Sequence, residues 1–384
     1  MTIASGANAE LSYVREVTHG TTPGSPSMKL LRATNRNING TKTTLSTEEV
    51  RGDRQISDVR HGFEQVGGSV GFELSLESYD DMLELALSAL WTTTPATTGV
   101  IAMSVDTTST FDRASGSFIS DGFEINDWVI SSDFTESANN GTFRVTAVGA
   151  SALTVDATLT TESAGADELI KIEGQILKMG QTLLTNTFER RFNDLTQYQP
   201  TRGVAVNQMS LTVSPESIVG GTFDLLGMSF DVFSGSELGT PAVAPTNSPY
   251  DSFTGQIVEG TAVIGLITGI DFTLNNSRVL QAVIGSKISP DVFEGQGIVT
   301  GSMQALFQDA TLWNKFKNET ETTLQIKLNE LGTTGFHAIT FPRVKYTAGD
   351  MDPPQEGPVI IEMPFQALVD SASATTMKWQ RSNA

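Results

Sequence analysis

The sequence predicts a mainly β chain, and three observations carry that expectation. Short runs alternate apolar and polar residues and are separated by Gly, Asn, Asp and Pro turn signals. Thr, Ser, Gly and Asn are abundant, as in strand-rich chains with many turns. Only two stretches change to helical spacing, and each closes a unit of the same order: strand, long connection, strand, short helix. The reading is a duplicated β unit, each copy with a flanking short helix, plus a small inserted all-β domain.

The first unit opens with a strand over residues 30–38. A charged connection follows over 39–66, containing Glu48, Glu49, Arg51, Asp53, Arg54, Asp58, Arg60 and Glu64. Then Val70, Phe72, Leu74 and Leu76 alternate with Gly71, Glu73, Ser75 and Glu77, the period of a strand with one buried face. After Ser78 the period becomes helical. Met82, Leu83, Leu85, Ala86 and Leu87 form the apolar stripe, with Asp80 and Asp81 at the helix start where the dipole favours negative charge. The second unit repeats the order. Ile270, Phe272 and Leu274 alternate, a connection runs over 277–297, and Gly301-Ser302-Met303 echoes Gly68-Ser69-Val70. Met303, Ala305 and Phe307 then match Val70, Phe72 and Leu74, and Asp309 precedes a helix-like run over 311–317 with Leu312, Trp313 and Phe316 as core.

Around these units, residues 1–29 read as a Pro/Gly-marked arm containing a strand near 10–17. A Thr-rich break at 92–99 leads into a compact β region over 100–174, with strands at 127–130, 142–148, 153–155 and 168–172. The expected segments are therefore 1–98 for the first unit, 99–174 for the insert and 175–384 for the second unit with the C-terminal strands. In the last segment, strands are expected at 188–192, 208–213, 323–328, 336–341, 360–369 and 375–380. Pro342 is expected to end its strand or to mark an edge.

Composition excludes several classes. With 384 residues the chain is long enough for two or three domains. It has no cysteine, so disulfides and Cys-ligated zinc are excluded. A net charge of -20, from 44 acidic and 24 basic residues, disfavours stable nucleic-acid binding. The start lacks a basic and an apolar region, so no secretory signal is expected. No run approaches the ~20 apolar residues of a membrane span. A soluble protein made in a cytoplasm, without membrane insertion, is the expectation.

Catalytic chemistry is not convincing. Gly67-Gly68-Ser69-Val70-Gly71 matches G-x-S-x-G, but a nucleophile elbow needs the strand before the serine and here the strand follows it. His19, His61 and His337 are too dispersed for a metal site. Asp350-Met351-Asp352 with Glu356 lacks calcium-loop spacing, and Pro353-Pro354 interrupts it. No catalytic, cofactor-binding or metal residue is assigned, and the chain is expected not to be an enzyme.

The order of blocks resembles the tail tube (major tail) proteins of long non-contractile-tailed bacteriophages. The residues that carry the resemblance are Leu31-Arg32-Ala33-Thr34, Ile38-Asn39, Glu48-Glu49-Val50-Arg51-Gly52-Asp53-Arg54, the run 62–76 and the helix ending Ala89-Leu90-Trp91. Phe272-Thr273-Leu274-Asn275-Asn276, Thr300-Gly301-Ser302 and Phe341-Pro342-Arg343-Val344-Lys345 fit it in the second unit. The resemblance implies a sandwich or barrel fold whose rings stack into a hollow tube around a tape-measure protein, between a tail tip and a terminator. The genome passes through the lumen without stable binding. With a duplicated unit, the resemblance implies three chains per ring with pseudo-sixfold symmetry, as in some relatives, six chains being the alternative. The loops 43–66 and 278–297 are expected to carry ring-to-ring contacts, with Glu48, Glu49, Arg51, Asp53, Arg54 and Arg60 as the contact candidates. Glu73 and Glu77 are the lumen candidates. A β-rich surface-binding module, adhesin-like and housed in the insert, is the alternative reading.

Overall fold

The computed structural model describes residues 3–351 and 353–383. About 48% of the chain is strand and 7% helix, in antiparallel sheets none of which closes on itself. The chain forms two compact units from interleaved segments. The first takes Met1–Ala89, Gln181–Pro249 and Ile270–Gly301; the second takes Leu90–Gly180, Tyr250–Gly269 and Ser302–Ala384.

In chain order the elements begin with β1 (Ala9–Arg15), β2 (Lys29–Leu30), β3 (Asn35–Ser46), β4 (Val59–Glu73) and α1 (Asp80–Leu87). The insert holds β5 (Met103–Thr107), β6 (Thr110–Arg113), α2 (Phe118–Asp121), β7 (Trp128–Ser132), β8 (Gly141–Val148), β9 (Ala152–Val155) and β10 (Leu169–Ile172). Then follow β11 (Gln175–Lys178), β12 (Asn186–Phe192), β13 (Gln197–Val213), β14 (Gly220–Gly227) and β15 (Ser229–Phe230). Next are β16 (Gly255–Glu259), β17 (Ala262–Ile264), β18 (Ile267–Asn275), β19 (Val279–Leu280), β20 (Val292–Phe293) and β21 (Ile298–Leu306). The chain closes with α3 (Thr311–Lys317), β22 (Thr322–Asn329), β23 (Phe336–Tyr346), β24 (Asp350–Met351), β25 (Ile360–Ala367) and β26 (Lys378–Arg381).

In the first unit the antiparallel pairing runs β2-β1-β12-β13-β14-β4-β3. Residues directly opposite share a face, so a row of Val70, Phe223, Met209 and Leu274 crosses the sheet. The adjoining row holds Phe72, Leu211 and Phe272. Phe72 stacks on Phe223 at 4.3 Å between centroids and meets Tyr79 at 5.2 Å. Onto this face α1 packs Met82, Leu83, Leu85, Ala86 and Leu87, all buried, against β13. Burying Met82 and each of the leucines contributes about 1.5–3 kcal/mol. The helix ends at Ser88, in the left-handed conformation at φ 53°. Its last carbonyls are claimed by Arg278, which reaches Leu85 O at 3.2 Å, and by Asn276, which reaches Ala86 O at 2.9 Å. A cation there also suits the negative end of the helix dipole.

The second strand set repeats this topology, as β17-β16-β22-β23-β25-β21-β18. A β-bulge recurs at the same place. The β12–β13 register shifts between Asn186 and Phe188, whose partners are Val204 and Thr201, and the β22–β23 register shifts between Thr322 and Leu324, whose partners are Val344 and Phe341. Pro342 lies inside that second bulge, where its missing N–H costs no ladder bond. It therefore does not end the strand, and β23 runs on to Tyr346. Residues 186–227, which sequence order places after the insert, pair with β1 and β4 of the first set.

Two other differences from the sequence reading have physical causes. The connection expected over 39–66 is mostly a paired hairpin, leaving a loop at 47–58. Its strands are polar on both faces, so no period-two apolar signal reports them. The side chains of α3 are only partly buried: Trp313 and Phe316 lie beside Gly349 and remain partly exposed.

The insert's strands form a six-stranded sheet ordered β10-β7-β8-β9-β6-β5, with its own core that includes Phe111, Phe118, Val129, Val145 and Leu153. Within the second unit it is tied to β26 and β22. Trp128 N donates to Gln380 Oε1 at 2.9 Å, Gln380 Nε2 returns to Trp128 O at 2.7 Å, and Trp128 Nε1 reaches Gln325 Oε1 at 3.2 Å. Lys327 Nζ lies 3.3 Å from the Trp128 ring centroid, and burial pushes its ammonium down to about 8. Beside these, Lys378 is buried and bonded to Asp127 and, at 3.0 Å, to Glu124. Burial pushes the Lys378 ammonium down, but the two carboxylates outweigh it and hold it above the ordinary lysine value.

Removing one partner of a buried ion pair strands the other charge. Lys378→Met should therefore cost about 3–5 kcal/mol in urea unfolding. The double variant Lys378→Met/Asp127→Leu, which removes both charges, should cost less than the single one.

Candidate assembly interface

The β3–β4 hairpin projects the first group of candidate residues. A bulge between Lys42 and Thr44 twists it, and Thr43 Oγ1 accepts from Phe63 N at 2.8 Å. Thr47 N to Asp58 O at 3.2 Å closes the tip. Within the tip, Glu49 Oε2 accepts from Ser57 Oγ at 3.1 Å. Arg51 forks onto Asp53, Nε to Oδ1 at 3.2 Å and Nη2 to Oδ2 at 3.1 Å, and this holds the Asp53 carboxyl below its usual range. Arg54 turns the chain in the left-handed region at φ 61°. Arg60 Nε donates to Asp58 Oδ2 at 2.8 Å. All six candidates are exposed. Arg51, Asp53 and Arg60 have local ion-pair partners, whereas Glu48 and Arg54 make no ion pair among the described residues.

Sequence reasoning concentrated on those charges and passed over the apolar residues between them. Leu45, Val50, Ile56 and Val59 are exposed on the same hairpin. The available signal was four aliphatic residues within a polar stretch. Exposed pairs contribute little on their own, about 0–1 kcal/mol, so a contact made by this tip would draw more from aliphatic burial.

The counterpart loop over 278–297 has an anchored base and an exposed tip. Arg278 is buried, donating to Ser88 Oγ at 2.6 Å and Glu294 Oε1 at 3.1 Å as well as to the end of α1. β19 pairs with β20 above it, and Val283 and Ile284 are exposed at the tip. The structure brings the two loops together, because Glu64 N of β4 donates to Lys287 O at 2.7 Å. Glu64 also pairs with Lys42 at 2.6 Å.

The lumen candidates separate. Glu73 is the last residue of β4 and faces Gly220 of β14. Glu77 lies beyond the strand, in a turn at φ 57°, and does not share that face. The face of Glu73 is opposite the core. Its rows read Asn35, Gly71, Thr222, Ser210, Thr273 and then Asn37, Ser69, Asp224, Gln208, Asn275. A third row holds Glu73, Gly220, Thr212 and Asp271. These rows contain three acids, Glu73, Asp224 and Asp271, and no Lys or Arg. Partial burial pushes the Asp224 carboxyl up. In the second unit Asp350 faces Glu362, which accepts from Ser302 Oγ at 3.1 Å.

Ser69 of the G-x-S-x-G match lies mid-strand in β4, between Asn37 and Asp224, not on a strand-to-helix turn. His337 is buried in the second unit and its Nδ1 accepts from Trp379 Nε1 at 2.7 Å. Among the described residues no cluster of His, Asp and Glu is arranged to hold a metal. Asp352, part of the acidic turn weighed for calcium, lies outside the described residues. No helix among them is long and apolar enough to cross a membrane.

No curated protein matches this sequence. A family model described as phage tail tube protein matches residues 6–367, nearly the whole chain, through both strand sets and the insert. The chain belongs to the phage tail tube protein family, whose members are structural components of the virion tail.

Proposed function

We propose that this chain is the ring subunit of a long, non-contractile phage tail, that its rings stack through the hairpin loops, and that its polar sheet face lines the lumen. The observation that carries the reading is the pairing, in one sheet, of an apolar core face with an opposite face bearing Glu73, Asp224 and Asp271 and no cation. Solvated faces ordinarily mix both signs of charge. A conduit for DNA has reason to exclude Lys and Arg, since each phosphate contact would retard the passing duplex. Two equivalent strand sets per chain favour three chains per ring around a pseudo-sixfold axis, with six chains as the alternative. In this reading the insert over 99–174 decorates the outside. The tube forms in the host cytoplasm around a tape-measure protein, joins tip and terminator proteins at its ends, and has no catalytic role.

Electron microscopy of the concentrated protein, alone and seeded with purified tail tips, tests the reading. Hollow tubes or stacked rings are expected, and a chain that stays monomeric in both conditions would overturn it. Charge reversal at the hairpin tip, Arg51→Glu/Arg54→Glu, should leave a folded monomer that no longer elongates; tubes of normal length would remove the tip from the ring contact. The triple variant Glu73→Lys/Asp224→Lys/Asp271→Lys should convert tubes that ignore short duplex DNA into tubes that retain it at low salt and release it at high salt. Equal retention by both would place these residues outside the lumen.

A further inference from the structure

Where the insert meets β26, two opposite charges are sealed from water. Lys378 of β26 and Asp127, the residue before β7, are each 1% exposed. Lys378 is the only buried lysine among the described residues. Its Nζ donates to Asp127 Oδ1 and, at 3.0 Å, to Glu124 Oε2. Asp127 Oδ2 is held separately, accepting from the Glu124 backbone N at 2.8 Å. The register of the two segments is fixed. Gln380, on the same face of β26 as Lys378, exchanges two hydrogen bonds with the Trp128 backbone. Glu124 is anchored as well, since its Oε1 accepts from Lys178 Nζ.

An ion pair alone does not require this arrangement. Arg suits a buried pair better than Lys, because its guanidinium is more weakly hydrated and forks onto a carboxylate. What a lysine adds is a nitrogen that becomes a nucleophile on losing a proton. Here that nitrogen touches one oxygen of a carboxyl whose other oxygen is bonded to a backbone N–H. An amine hydrogen-bonded to one carboxyl oxygen lies within near-attack range of its carbon, about 3–3.5 Å. The backbone N–H stands where charge develops as that carbon becomes tetrahedral. A second carboxylate, Glu124, touches the same nitrogen and can take its proton. Burial pushes the Asp127 carboxyl up against the opposing pull of Lys378, which brings the protonated acid nearer.

We propose that Lys378 and Asp127 join in an isopeptide bond, with Glu124 as the proton shuttle. The steps balance without an oxidant or co-reactant. Lys378 Nζ passes one proton to Asp127 Oδ1, giving a neutral amine and a neutral acid. The Nζ lone pair attacks Cγ. Glu124 takes a second proton from Nζ and returns it to Oδ1, the Cγ–Oδ1 bond breaks, and one water leaves. Nζ keeps one hydrogen, and Oδ2 becomes the amide carbonyl, still bonded to Glu124 N–H. Beside the pair lies a cavity of about 450 Å³, with Glu124 and Lys378 in its wall next to Phe123, Val148 and Pro342, and it gives the water a way out. Fixed proximity supplies an effective concentration of ~10⁵–10⁸ M, and a link that forms once per chain has no turnover to sustain. The bond fastens the C-terminal strand to the insert, so neither can peel away from the other. It is a property of the single chain and does not depend on the tube reading.

Mass spectrometry of the purified full-length protein tests this. The intact mass should fall short of the sequence mass by one water. A tryptic digest should contain a branched peptide joining Asp127 to Lys378, with cleavage after Lys378 absent. The full sequence mass, or a lost water mapped to another residue, overturns the proposal, and this measurement decides even where a variant fails to fold. Lys378→Arg keeps a cation in place and should fold, by circular dichroism, with no link. A missing water in that variant overturns the assignment to Lys378. Glu124→Gln keeps both reacting groups and should leave most of the protein unlinked, and a fully linked Glu124→Gln protein overturns the shuttle. Loss of the link adds equally to the cost of Lys378→Met and of its double variant, so their order in urea stands.

Discussion

The first unit depends on the pairing of one strand. β13 is seventeen residues long and exchanges backbone hydrogen bonds with β12, β14, β15 and β18. No single partner satisfies its length: β12 takes the first half, and β14 and β18 flank the second. The bulges opposite Asn186/Phe188 and at Val206/Gln208 let the strand twist from one set of neighbours to the next. Its apolar side chains, Val204, Val206, Met209 and Leu211, are the floor on which α1 is packed. Every backbone group that β13 leaves unpaired would cost about 1–3 kcal/mol if buried. Strands far apart in sequence are therefore drawn to it, which explains why the unit is assembled from three separate segments.

Much of this was legible in the sequence. Alternation at Val70–Phe72–Leu74 and at Ile270–Phe272–Leu274 located β4 and β18, and the acids before Met82 and the stripe after them located α1. The match of Gly68-Ser69-Val70 to Gly301-Ser302-Met303 also agrees with the fold, since Leu74 N and Phe307 N bond to Val219 O and Val359 O at the start of equivalent strands. What periodicity missed was of two kinds. The hairpin segments 39–46 and 59–66 are largely polar and give no period-two apolar signal, so they read as a connection. Pro342 marks an end or an edge by its missing N–H, and the bulge that accommodates it lets the strand run on. Both are cases in which backbone pairing, which side-chain pattern does not report, decides the structure.

The candidate interface was half legible for a related reason. Charges are conspicuous in a loop, and the six at the hairpin tip were found, yet three of them are occupied with immediate neighbours. The exposed aliphatic residues Val50 and Ile56, which would supply more free energy on burial, drew no attention because single apolar residues in loops are common. On the sheet, alternation puts Glu73 and Glu77 on one face of a single expected strand. The turn after Glu73 separates them, and only three-dimensional rows reveal that Asp224 and Asp271 stand on the face of Glu73.

Net charge and charge placement are separate facts. The excess of acid in the composition is a property of the whole chain, and solubility alone would account for it. Many of the cations are committed to local tasks: Arg278 at the end of α1, Lys378 between Glu124 and Asp127, Arg51 and Arg60 at the hairpin tip. None falls in the rows of the polar sheet face. Rows of side chains without a cation across five strands would be a weak device in a monomer, where solvent screens them within a Debye length of ~8–10 Å. Wrapped around a narrow cylinder, the same acids face one another, and their field acts on whatever passes along the axis. The placement would therefore act only in the proposed tube, where this reading turns the face toward the lumen.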